Sequence, residues 1–127
     1  MNRSETMDVK AFPKIGANCE NAVRCFFDLN QQDLRVYREL LENGPGTAQE
    51  IGERIGRDRS TAYRSASKLV ANHLAVKLVK NRGGGGIYHV YQAVDPFQVQ
   101  TLLKEAIEEW YNEVMNVVER TAGELRG

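Results

Sequence analysis

Two short helix-forming segments joined by a tight turn, within residues 47–70, constrain this chain more than any other stretch. Thr47-Ala48-Gln49-Glu50 has the form of a capping box, a threonine at N-cap and a glutamate three residues on. Ala48, Ile51 and Ile55 then make the apolar stripe of a short helix, which Gly56 stops. Asp58 is placed to cap a second helix, on which Ala62, Ala66, Leu69 and His73 recur at i, i+4, i+7 and i+11. Two helices meeting across a turn of about three residues that contains a glycine have the spacing of a helix-turn-helix.

The flanking segments extend that unit on both sides. Residues 1–14 are polar, contain Pro13, and read as a loose arm. Ala17 to Phe27 reads as a first helix with Cys19, Val23, Phe26 and Phe27 near one side. Asn30 is an N-cap candidate with Asp33 in the first turn; Leu34, Tyr37, Leu40 and Leu41 follow at helical spacing, and Gly44-Pro45 ends the run. After Leu74 the period changes to two. Val76 to Lys80 and Ile87 to Val94 read as two strands around Asn81-Arg82 and four glycines, a hairpin with a long tip. Asp95-Pro96 then opens a helix, with aspartate at N-cap, proline at N1 and Gln98 at N3, that runs to about Ala122. The expected fold is mainly α with a small β-hairpin. It comprises a winged helix-turn-helix over residues 15–94 and a long C-terminal helix for dimerisation over residues 95–127.

Net charge is zero over 127 residues, yet the charge is not evenly spread. From Arg57 to Arg82 seven basic residues face the single acid Asp58, a net +6; from Asp95 to the end seven acids face three bases, a net −4. A basic centre beside an acidic tail suits a protein that lays one face on a polyanion. No apolar run approaches the ~20 residues needed to span a bilayer. The N-terminus carries no apolar signal segment, which points to the cytoplasm and to no membrane partner.

If Ala62, Ala66 and Leu69 face the core, Ser60, Arg64, Ser67 and Lys68 turn the other way, with Arg59, Thr61 and Tyr63 flanking them and Arg57 just ahead. A second helix of this kind enters the major groove N-terminus first. There arginine bonds guanine bidentately, and serine or threonine reaches bases or phosphates. Lys80 and Arg82, at the hairpin tip, are placed to approach the sugar-phosphate backbone. The bland alternative is a solvated helix face and an idle turn. The glycine tip lacks the Gly-Lys-Ser/Thr ending of a phosphate-binding loop. Cys19, Cys25, His73 and His89 could in principle complete a tetrahedral metal site, but the Cys-x5-Cys spacing and an angle of about 240° on a helix argue against both a chelate and an intrahelical disulfide. The two cysteines read as buried thiols. Leu103, Ile107, Trp110, Val114 and Val117, with Thr121, follow an a/d-like seam that suits pairing of two copies. No catalytic constellation or cofactor fingerprint appears, so an enzyme is the least favoured class.

Residues 29–94 resemble the DNA-binding domain of archaeal TrmB-type regulators, relatives of the MarR and ArsR winged-helix groups. The resemblance rests on Leu29, Leu34, Tyr37, Leu40 and Leu41, on Gly44-x-Gly46, on Thr47-x-x-Glu50-Ile51, and on Arg59-Ser60-Thr61-x-Tyr63-Arg64. It implies a homodimeric transcription regulator that reads duplex DNA through Arg59 to Lys68. Full-length members of that group carry a C-terminal sugar-binding domain, whereas this chain has one helix there, so sugar sensing is not carried over. His73 stands where such domains often have glycine, so Asn72-His73 must make the helix exit. The alternatives are a winged helix whose basic face meets an acidic protein, or a repressor that responds to thiol oxidation or metal.

Overall fold

A computed structural model of the protein describes residues 22–127. The expected arm over residues 1–14, the start of the first helix and Cys19 lie outside the described residues. The elements are α1 (Ala22–Phe26), α2 (Gln31–Asn43), α3 (Ala48–Ile55), α4 (Arg59–Ala71), β1 (Ala75–Asn81), β2 (Ile87–Ala93), α5 (Pro96–Glu119) and α6 (Thr121–Arg126). The architecture is a winged helix-turn-helix, α2 to β2, from which a long helix departs.

Local chemistry fixes the starts of α2, α3, α4 and α5. The expected box at Thr47 forms, and a second one forms at Asn30. The Thr47 hydroxyl accepts from the Glu50 N–H at 3.1 Å while Thr47 N–H donates to the Glu50 carboxylate at 2.8 Å. Asn30 and Asp33 exchange the same pair of bonds at 2.7 and 3.0 Å, so Asp33 closes a box where the sequence suggested only an acid in the first turn. Asp58 caps α4 through the Thr61 N–H at 2.8 Å, and Asp95 caps α5 through the Phe97 N–H at 2.7 Å.

The turn between α3 and α4 passes through Gly56 in the left-handed region, φ 71° and ψ 34°. Arg57 N–H reaches back to the Gly52 carbonyl at 2.8 Å. The exit of α4 uses the same device without glycine. His73 sits at φ 65°, its N–H donates to the Val70 carbonyl at 3.0 Å, and Leu74 N–H donates to the Leu69 carbonyl at 2.8 Å. His73 therefore leaves the apolar stripe assigned to it by spacing: α4 stops at Ala71, His73 is exposed, and Leu74 takes its place in the core.

Val36, Ile51, Leu69 and Leu74 are the largest fully buried side chains, and Ala62 and Ala66 lie with them between α3, α4 and α2. The strands pair antiparallel with Ala75 opposite Ala93 and Asn81 opposite Ile87. Lys77 and Tyr91 are also directly opposed, and only the root of that face, Ala75 and Tyr91, is buried. Gly46 adds a third short pairing, exchanging hydrogen bonds with Tyr91 at 3.0 and 2.8 Å, which the sequence did not announce.

Tyr37 of α2 donates its hydroxyl to the Val94 carbonyl at 2.7 Å, and Val94 N–H donates to the Leu74 carbonyl at 2.9 Å. Burial raises the Tyr37 phenol above its ordinary value, and the Asp95 carboxylate adds to this. Tyr37→Phe leaves the Val94 carbonyl without its donor and is expected to lower stability by about 1 kcal/mol. Urea denaturation at neutral pH checks this, and an unchanged midpoint would remove Tyr37 from the account.

The long helix is shorter than its pattern suggested. α5 ends at Glu119, and Thr121, placed in the seam by spacing, begins α6 in an exposed position. Within α5 only Val99 is buried.

Candidate nucleic-acid interface

The second helix of the helix-turn-helix, α4, has two sharply different sides. Ala62, Ala66 and Leu69 are fully buried. Arg57 just ahead of it, and Arg59, Ser60, Tyr63 and Arg64 along its first half, are exposed. Thr61 is half-buried, with its hydroxyl 3.4 Å from the Arg64 guanidinium. Hydrogen bonding by the Thr61 hydroxyl and N–H, with Arg64 and Arg57 nearby, holds the Asp58 carboxyl below the ordinary aspartate value. Asp58 therefore stays charged at the positive end of the helix.

Ser67 is half-buried and Lys68 points elsewhere. The Lys68 ammonium lies 2.9 Å from the Asp33 carboxylate, which is itself buried. Ser65, also buried, donates its hydroxyl to the other Asp33 oxygen at 2.7 Å. Burial alone would raise the Asp33 carboxyl. The Asn30 N–H, Lys68 and Ser65 outweigh it and hold the group below the ordinary value. Lys68, grouped with the contact residues by sequence, is thus a strut between α4 and α2. The signal that could have shown this was present: an acid at the third position of a capped helix, and a serine and a lysine three residues apart on the neighbouring one.

At the hairpin, Lys80 and Arg82 are exposed. The Arg82 guanidinium carbon sits 4.8 Å above the centre of the Tyr88 ring, a cation–π contact that steadies an otherwise free side chain. Between the hairpin and the start of α4 runs a cleft of about 270 Å³, whose lining includes Arg59, Tyr63, Arg82, Tyr88, His89 and the first turn of α3. Gln49 and Tyr88 were not singled out by sequence, and His89 was weighed only as a metal ligand, because only the folding of β2 beside α3 brings the three together.

Among the described residues no three His, Cys, Asp or Glu side chains gather as metal ligands. Cys25 is exposed and disulfide-bonded, which corrects the expectation of a buried free thiol; the only other cysteine, Cys19, lies outside the described residues. No described helix is long and apolar enough to cross a membrane.

The seam on α5 is partly used within the chain. Trp110 meets Phe26 of α1 edge to face, ring centres 6.4 Å apart and planes at 83°. Leu103, Val114 and Val117 are half-buried and Ile107 is exposed. A neighbouring stripe of Tyr111, Met115 and Val118 is exposed along the same helix.

Comparison with known proteins agrees with this architecture. Residues 23–97 match the family described as "Sugar-specific transcriptional regulator TrmB". Two relatives come from Methanocaldococcus jannaschii. The uncharacterized protein MJ1503 is 35% identical over 100 residues, covering 79% of this chain and 76% of that one. MJ1082, also uncharacterized, is 37% identical over 95 residues, covering 75% and 78%. Among solved structures, a possible transcriptional regulator from Methanosarcina mazei Go1 superposes with a TM-score of 0.70 at 20% identity, covering 80% of this chain and 86% of that one. The ST1889 protein of Sulfolobus tokodaii superposes with a TM-score of 0.60 at 16% identity, covering 80% and 98%. At these identities the structural likeness concerns the fold.

Proposed function

The chain belongs to the TrmB family of transcriptional regulators, and on that footing we propose that it binds duplex DNA as a homodimer. The start of α4 lies in the major groove and the hairpin lies against the sugar-phosphate backbone. Residues 15–94 carry the DNA contact and residues 95–127 the pairing of copies. One observation carries the proposal: Arg59 and Arg64 on α4, with Arg57 in the turn just ahead of it, stand exposed with no salt-bridge partner among the described residues, while the opposite side of the helix is fully buried. Ser60 and Tyr63 supply hydroxyls on the same surface. Pairing is supported by Ile107, Tyr111, Met115 and Val118, a run of apolar side chains that one copy leaves in water.

Fluorescence anisotropy with duplex DNA over a salt series tests this. Log affinity is expected to fall linearly with log salt, by about 0.9 per phosphate neutralised. On a selected site Arg64→Ala is expected to weaken binding by about 1–3 kcal/mol and relax specificity. Lys68→Ala is expected to leave the salt slope unchanged, because that ammonium is already neutralised by Asp33. Sedimentation equilibrium of the same samples reads the number of copies. No binding at low salt would sink the proposal and redirect the basic face toward an acidic protein.

A further inference from the structure

We propose that the cleft between the hairpin and α4 is a binding site for a phosphate ester. The ester would be either one backbone phosphate of bound duplex or the phosphate of a free small molecule. Three features of the cleft lead there. It is concave, about 270 Å³, whereas the groove-reading side of α4 is a convex helix surface. Its lining brings together two guanidiniums from separate elements, Arg59 at the first position of α4 and Arg82 just beyond β1, and includes no aspartate or glutamate. A recess lined by one sign of charge concentrates an oppositely charged ligand. Arg82 is also held in place, stacked on Tyr88, so that little freedom is left to lose when it takes hold of an anion.

The chemistry of the lining favours phosphate over a simple halide. Arginine offers paired N–H donors that match two phosphate oxygens. Tyr63, Tyr88, His89 and Gln49 also line the recess, and each is a residue type that can donate a hydrogen bond. Aromatic walls also accept the flat or apolar remainder of an ester, which a bare ion would leave unfilled. For the duplex source the inference rests on the DNA-binding proposal; for the free source it stands alone.

The test has two arms. In the first, inorganic phosphate is titrated at constant ionic strength while the ring resonances of Tyr63, Tyr88 and His89 are followed by NMR. A saturable shift confined to these rings is expected, and it should vanish in an Arg59→Ala, Arg82→Ala double variant. Both positions are exposed, and circular dichroism confirms the variant's fold. No saturable shift, or one that survives in the double variant, overturns the site. In the second arm, backbone phosphates of a bound duplex are replaced one at a time by neutral methylphosphonates. If the duplex is the source, one replacement per half-site lowers wild-type affinity on the order of tenfold and leaves the double variant indifferent. An unchanged pattern in the double variant assigns the site to a free phosphorylated molecule. If the wild type binds no duplex at all, the DNA-binding proposal fails while the phosphate titration still decides the cleft.

Discussion

Replacing Gly52 by valine is expected to lower the stability of the fold by about 3 kcal/mol, at the upper end of what overpacking produces. Gly52 lies inside α3, where a glycine normally weakens a helix by about 1 kcal/mol relative to alanine. Here the surroundings reverse that preference. A Cβ at this position would lie 2.7 Å from the Arg57 carbonyl oxygen and 3.1 Å from that of Asp58. Both obstacles are backbone, and the Arg57 peptide is tied by its N–H to the Gly52 carbonyl at 2.8 Å. The chain turning from α3 into α4 therefore lies directly on the glycine. Gly52→Ala meets the same contact, offset in part by helix propensity, and is expected to lose less. Chemical denaturation ranks the three proteins. If alanine proves more stable than glycine, the turn gives way easily and the close approach does not hold the two helices at their angle.

Asp33→Ala is expected to cost about 3 kcal/mol. The substitution removes the reciprocal bond to Asn30 and leaves the Ser65 hydroxyl buried without its acceptor. It also frees Lys68, whose side chain is 37% exposed and can turn to water, which keeps the loss below that of a fully enclosed pair. A double-mutant cycle with Lys68→Ala isolates the ion pair from the cap. The same carboxylate makes stability depend on pH. Its folded-state value lies below its unfolded one, so its contribution is complete above the ordinary aspartate value of about 3.9 and drains away as pH falls through the folded value. Asp58 acts with the same sign. Urea midpoints for wild type and Asp33→Ala should thus converge as pH is lowered from 6 toward 2. A gap that stays constant over that range would show that ionisation of Asp33 contributes nothing.

The elements with local signatures were legible in the sequence. Asn30, Thr47, Asp58 and Asp95 each cap the helix they were expected to cap, and Ala62, Ala66 and Leu69 face inward as their spacing required. What escaped depends on approaches between distant segments. Gly52 looked like an ordinary helical glycine because its neighbour, the 57–58 backbone, arrives only when the turn is made. Gly46 carried no strand signal of its own and pairs because Tyr91 lies beside it. Lys68 had the spacing of a surface cation, and only the docking of α2 brings a carboxylate to it. Thr121 fitted a seven-residue pattern that the backbone abandons at Arg120. The exposed arginines of α4 were legible because a helix with one buried side leaves the other few options. The cleft was not, since its walls come from three segments far apart in the chain.

The peptide of Val94 has both its polar groups engaged, the N–H by the exit of α4 and the carbonyl by Tyr37 of α2. The next residue, Asp95, already caps α5. The long helix accordingly has no swivel at its root. Two copies joined along α5 would behave like a caliper whose jaws are welded to its beams, with the gap between the jaws set where the beams cross. If that pair binds duplex DNA as proposed, the length it spans would be written in the side chains of α5, and a substitution there would change the spacing of the preferred half-sites while leaving the bases read within each one untouched.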